Sequence, residues 1–301
     1  RRRGWRWRWR RRGWRRRRCV VVRVALIQLG YDDAEPVAER VERAGALVRD
    51  QAGADVVVLP ELWAPGGFAY PSWLDRAEPV DGPTMSAMAA AARSAGVFLH
   101  AGSIVERPAS GELGLEGRGL WNTSVLFAAD GSPAATYRKI HRFGFGAGEP
   151  ALMDAGTDLV TVDLPDRGAG VSMRAGVSTC YDLRFPELYR AQLDLGVSAF
   201  LLCSCWPAAR VAHWSLLGRA RAVENQSFVI ACNTAGEHAG VRMGGRSQVV
   251  APDGTVLGEA GEAEEVLVVD LDVAQVAAWR AAFPVLADRR LSTPPPAKTH
   301  L

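Results

Sequence analysis

Residues 20–29, VVVRVALIQL, are an apolar run interrupted by one arginine and one glutamine, which predicts a buried strand. In the next stretch, 36–54, apolar residues recur three and four positions apart among charged ones, the spacing of an amphipathic helix. The same alternation continues: DVVVLPEL (55–62) reads as a strand, TMSAMAAAARSAG (84–96) as a helix and VFLHAGSIVE (97–106) as a strand. A glycine-rich loop at 110–119 precedes LWNTSVLFA (120–128), and 131–140 reads as its hairpin return. RAGVSTC (174–180) is a strand, followed by a helix that opens near Pro186, where proline suits the first helical position. SAFLLCS (198–204), AHWSLLGRARAVENQ (212–226) and SFVIACNT (227–234) repeat strand, helix, strand, and 246–272 closes with strands around an Asp-Gly turn.

Strands alternate with helices in the first and third quarters, while hairpins fill the second quarter and the end. The class is therefore α/β, a mixed sheet covered by helices in one domain spanning 19–290. Residues 291–301, rich in proline, read as a loose tail.

Composition changes one part of this picture. The net charge is +3, yet residues 1–18 hold twelve arginines and no acid. Without them 24 basic residues face 33 acidic ones, so the body carries −9. Arginine interleaved with tryptophan could grip anionic lipid or single-stranded nucleic acid. However, the segment contains only Arg, Trp and Gly and lacks any core-forming pattern. It is expected to lie outside the fold, as a disordered arm or a start-site artefact, with no such contact. No run of eighteen apolar residues occurs, and the N-terminus has no apolar stretch of signal-peptide type. Five cysteines (Cys19, Cys180, Cys203, Cys205, Cys232) in a chain this long do not form a disulfide framework, and a reduced, cytoplasmic setting fits them.

Three ionisable residues fall at the C-terminal ends of predicted strands, where such folds place their chemistry. Glu61 follows VVVLP, Lys139 follows AATYR and Cys180 follows AGVST. Lys139 is one of only two lysines against 34 arginines, which suggests a need for a compact point donor in place of a planar fork. A tight turn after the strand would expose the Cys180 sulfur and aim neighbouring N–H groups at whatever it attacks. Each residue also has an ordinary reading: a small core cysteine, a loop glutamate, an exposed lysine. Two further arrangements stay open, a zinc set of Cys203, Cys205, Cys232 and His213, and a Cys-His pair using His141 or His213.

LPELW, YRKIHRF, STCYDLRFPELYR and HWSLLGRARAVENQSFVIACNTAG follow one another in the chain. Together they resemble the successive signatures of the nitrilase superfamily of carbon–nitrogen hydrolases, over roughly residues 22–272. The resemblance implies a four-layer αββα sandwich, paired into a homodimer or larger homo-oligomer. It implies a catalytic triad of Glu61, Lys139 and Cys180, with Lys139 and the Tyr181 N–H as oxyanion donors and no metal or organic cofactor. It also implies a second glutamate after the lysine, seven residues before a glycine. Glu149 stands at that spacing from Gly156 and would orient substrate or water.

Cys180-Tyr181-Asp182 resembles amidase-type members, whereas nitrile-cleaving members typically read Cys-Trp-Glu. The stretch is most similar to the Nit-type branch, which includes ω-amidases. The expected activity is hydrolysis of a small linear amide through a thioester, with ammonia released. Arg184, four residues past the nucleophile, would bind a substrate carboxylate or else brace the turn through Asp182 or Glu187. RFGFGAGEP after the lysine, and Arg246 where a histidine is common, depart from that branch and bear on the substrate. The alternatives are an N-carbamoyl-amine hydrolase, a nitrilase, or an inactive scaffold whose Arg/Trp arm binds nucleic acid or membrane.

Overall fold

The computed structural model describes residues 21–165 and 173–291. The arm at 1–18 and the tail beyond 291 lie outside the described residues.

Twelve strands build two sheets. They are β1 (Val21–Gln28), β2 (Val56–Val58), β3 (Phe98–Glu106), β4 (Trp121–Phe127), β5 (Pro133–Arg138), β6 (Thr161–Leu164), β7 (Met173–Thr179), β8 (Ala199–Cys203), β9 (Phe228–Cys232), β10 (Gln248–Val250), β11 (Val256–Glu259) and β12 (Glu265–Asp272). The first sheet runs β12-β1-β2-β3-β4-β5 and the second β11-β10-β9-β8-β7-β6. Each has three parallel strands at its centre, β1-β2-β3 and β7-β8-β9, flanked by antiparallel ones. Helices α1 (Val37–Arg49) and α2 (Pro83–Ala95) accompany the first sheet, and α3 (Pro186–Asp194) and α4 (Val211–Asn225) the second.

The alternation along β1 explains the layers. Val22, Val24 and Leu26 enter a core shared with Val177, Leu201 and Ile230 of the second sheet. Ala25 and Ile27, on the opposite face, pack with Ala44 and Val48 of α1 and with Met85 and Met88 of α2. Phe200, Leu202 and Val229 likewise turn outward onto Tyr189 of α3 and Trp214 of α4. Strands buried on both faces read as continuous apolar runs, which is why they were visible in the sequence. The mixed sheet read from element order resolves into two six-stranded sheets, and the αββα sandwich that the family resemblance implies is the one found. The helices of each half lie on one face of its parallel triplet, and the other faces, which are equally apolar, bury each other.

A final helix, α5 (Ala274–Ala282), was not anticipated; only Val276 of it is buried, so its periodic signal is weak. Among the described residues no helix is long and apolar enough to cross a membrane.

Candidate active site

The three strand-end residues converge although they are far apart in sequence. Glu61 follows β2 and Lys139 follows β5, both in the first sheet, while Cys180 follows β7 in the second. All three line one small cavity, together with Glu149 and Cys205. Exposure is 3% for Glu61, 2% for Lys139, 3% for Glu149 and 8% for Cys180. Such burial rules out the loop-carboxylate reading of the two glutamates and the surface-charge reading of the lysine.

Lys139 Nζ donates to Glu61 Oε1 at 2.7 Å and to Glu149 Oε1 and Oε2 at 3.0 and 2.8 Å. Asn122 on β4 donates its Nδ2 to both carboxylates, at 2.8 Å to Glu61 and more closely to Glu149. The second Glu61 oxygen accepts the Cys205 N–H at 2.9 Å, and Glu61 N–H donates to the Ser204 carbonyl at 3.3 Å. The loop after β8 in one sheet thus clamps the acid carried by the other. Glu149 opens a single helical turn, Glu149–Leu152, and also accepts the Phe143 N–H.

Cys180 takes φ of 46°, as does Leu62 beside Glu61. Left-handed backbone in a non-glycine residue is strained by about 1–3 kcal/mol and clusters at functional sites. The turn Cys180–Arg184 is a 3₁₀ helix capped by Thr179 and Asp182. Asp182 is fully buried and accepts the Tyr137 hydroxyl at 2.7 Å, the Thr179 N–H at 2.8 Å, and both the N–H and Nδ1 of His141. These bonds fix the turn that presents the sulfur.

Burial pushes the Cys180 thiol well above its ordinary range and the Glu61 carboxylate adds to this, while the Lys139 ammonium pulls it back. Burial and the neighbouring Glu61 thus favour the thiol over the thiolate. Burial alone would push Lys139 down, but Glu149 and Glu61 outweigh it and hold the ammonium well above its usual value. Burial also raises Glu149, against the opposing pull of Lys139. A thiol, a carboxyl group and a lysine share one small buried cavity, and such a set can generate a nucleophile and stabilise an anion.

A second lobe of the cavity is lined by Cys180, Tyr181, Arg184, Trp206 and Arg210. Phe68 and Phe143 line both lobes, each of about 20 Å³. The Tyr181 ring packs edge-on to Phe143 and Phe185. Arg184 does not brace the turn through Asp182 or Glu187. Its guanidinium lies 4.7 Å from the Trp206 ring and approaches His213 Nδ1 at 3.3 Å.

The competing arrangements do not assemble. Cys203 faces Ser124 and Thr179, Cys205 approaches His238 and Met243, and Cys232 donates to the Ile27 carbonyl, so no zinc set forms with His213. His141 is engaged by Asp182 and His213 by Arg184, and neither pairs with Cys180. Of the two departures from the Nit-type pattern, Arg246 is tied to Glu259 at 3.0 Å, away from the cavity lining. RFGFGAGEP, by contrast, supplies Phe143 to the cavity wall.

Sequence reasoning missed Asn122 and Phe68. Asn122 left a faint signal, as a polar amide in a strand that is buried at every position. Phe68 sits in a loop with no periodicity to mark it.

A sequence profile of the family described as "Carbon-nitrogen hydrolase" matches residues 23–281. The chain is 44% identical over 269 residues to a 2-oxoglutaramate amidase of Paenarthrobacter nicotinovorans, covering 89% of each. It is 33% identical to the omega-amidase of Mus musculus, covering 90% of this chain and 95% of the relative. Among solved structures, a CN-hydrolase superfamily protein of Xanthomonas campestris, with an arsenic adduct in its active site, matches with a TM-score of 0.79. The identity is 31%, and the match covers 90% of this chain and 98% of that one.

Proposed function

The chain belongs to the carbon–nitrogen hydrolase family of the nitrilase superfamily, and from that premise we propose that it is a cysteine amidase releasing ammonia from a short carboxylate-bearing amide. The observation that carries this reading is the Lys139 ammonium held between Glu61 and Glu149 in a cavity that Cys180 also lines.

Glu61 takes the Cys180 proton, since the thiolate is the attacking form. The sulfur adds to the amide carbonyl, and Lys139 with the Tyr181 N–H stabilises the oxyanion, each donor worth roughly 3–4 kcal/mol. Protonated Glu61 gives its proton to the departing nitrogen as the tetrahedral species collapses to a thioester and ammonia. Glu61 then removes a proton from water as that water attacks the thioester. The second tetrahedral species expels the sulfur, which recovers its proton, and the acid leaves. Glu149 holds Lys139 charged and aimed, and orients substrate or water. No step calls on a metal or organic cofactor.

Cys-Tyr-Asp after the strand supports an amide over a nitrile substrate. Arg184 at the second lobe supplies a guanidinium for the acid end, and the Paenarthrobacter nicotinovorans relative supports 2-oxoglutaramate as the first substrate to try. The test is ammonia release from 2-oxoglutaramate by wild type, Cys180→Ala and Glu61→Gln, beside the matching nitrile. Turnover only by wild type, and faster on the amide, is the expected result; equal turnover by Cys180→Ala overturns the reading.

A further inference from the structure

We propose that Arg210 is a second specificity-determining residue, which with Arg184 grips the anionic end of a short aliphatic acid whose amide lies at its far end. This rests on the amidase reading above.

The two arginines come from separate elements. Arg184 ends the turn that Cys180 begins, and Arg210 ends the turn Ala208–Arg210 ahead of α4. Both line the lobe that holds Cys180. Arg184 lies over Trp206 at 4.7 Å and Arg210 over Phe143 at 5.3 Å, so the two cations rest on different aromatic walls. A guanidinium carries five N–H donors, so one whose carbon lies over a ring still has donors to offer an oxygen acceptor.

Neither has a counter-charge among the described residues. Other arginines, exposed Arg23 and Arg174 and half-buried Arg138 and Arg289, pair with a carboxylate, and Arg76, Arg93 and Arg107 donate to backbone carbonyls instead. Among the described residues, Arg184 and Arg210 make no ion pair, although both are half-buried. Arg184 has only the His213 contact at 3.3 Å beyond its ring. Removing two cations from water without a partner is unfavourable, and a ligand carboxylate would supply the missing partner.

One fork occupies two lone-pair directions of a carboxylate that offers about four. A second arm from a separate element takes the remainder, or an oxygen on the adjacent carbon, and thereby fixes the direction of the chain. The far end of the cavity reinforces this polarity. There the single cation, Lys139, is already bonded to Glu61 and Glu149, whereas the arginine lobe has cations with no carboxylate among the described residues, so the anionic end is placed at the arginines and the amide at the sulfur. The substrate enters amide first.

The test compares kcat/KM on 2-oxoglutaramate with kcat/KM on pentanamide, an uncharged amide of similar length. In wild type the ratio favours the acid. Arg210→Met is expected to lower that ratio roughly ten- to a hundredfold, mainly through KM on the acid, with Arg210→Lys recovering part of the loss. If Arg210→Met does not fold, a severalfold fall in the ratio for Arg210→Lys supports the proposal and an unchanged ratio overturns it. Equal losses on both substrates, or no loss, overturn it as well. A ratio that falls in Arg184→Met but not in Arg210→Met leaves a one-armed site, so this inference fails while the amidase reading stands. A wild type that releases no ammonia from either amide overturns both.

Discussion

The floor and the mouth of the cavity hold their charges in opposite ways. On the floor, Lys139 is bonded to two carboxylates, and Asn122 and a backbone N–H hold the same carboxylates from other sides. At the mouth, Arg184 and Arg210 rest on aromatic faces and, among the described residues, have no acid partner. Groups on the floor are satisfied by the protein itself, so their geometry is set before any ligand arrives. Groups at the mouth keep donors that no carboxylate among the described residues takes up. Changes on the floor should therefore strike kcat and stability, whereas changes at the mouth should strike KM and selectivity.

The largest effect should come from Cys180→Ala, with kcat falling about 10⁴-fold or more, because removing a nucleophile disables the whole set at once. Cys203→Ala, in the core below, should stay within severalfold of wild type. Either result reversed would place the chemistry on a different sulfur.

Lys139→Met comes next and should show two losses. An oxyanion donor disappears, at about 10²–10³ in kcat, and two buried carboxylates lose their cation, at about 3–5 kcal/mol of stability. Denaturant titration reads the second loss independently of activity. Lys139→Arg should also fail in kcat, since a planar fork cannot sit where a compact ammonium did. Near wild-type turnover by that variant would remove the oxyanion role.

Arg184→Met sharpens the contrast from the other side. Its kcat/KM on 2-oxoglutaramate should fall about ten- to over a hundredfold, with an uncharged amide affected far less and the denaturation midpoint nearly unmoved. A fall in stability like that of Lys139→Met would mean that the mouth is as structural as the floor. The smallest effect is expected from deleting residues 1–18, with kcat/KM staying within about twofold; a large loss would draw the Arg/Trp arm into the account.

How much of this was legible depended on burial pattern. β1, β3 and β9 announced themselves because both their faces are covered, and α1 because only one of its faces is. The division into two sheets was not legible in element order, since the packing of one triplet against another leaves no local mark; the family resemblance supplied it. Glu61, Lys139 and Cys180 could each be singled out at strand ends, yet their separations of 78 and 41 residues carry no sign of contact. That contact is a property of which strands lie at facing positions in the two sheets. Asn122 shows the remaining limit: a residue whose role is to bond two others cannot be recognised before those two are known to meet.

The central claim is that Cys180 forms an acyl thioester, and mass spectrometry of enzyme quenched in acid during turnover of 2-oxoglutaramate tests it most directly. The expected result is an added mass equal to the acyl fragment, confined to the peptide carrying Cys180 and accumulating when water attack is slowed. No adduct under any quench time, or an adduct on the peptide carrying Cys203 and Cys205, would contradict it.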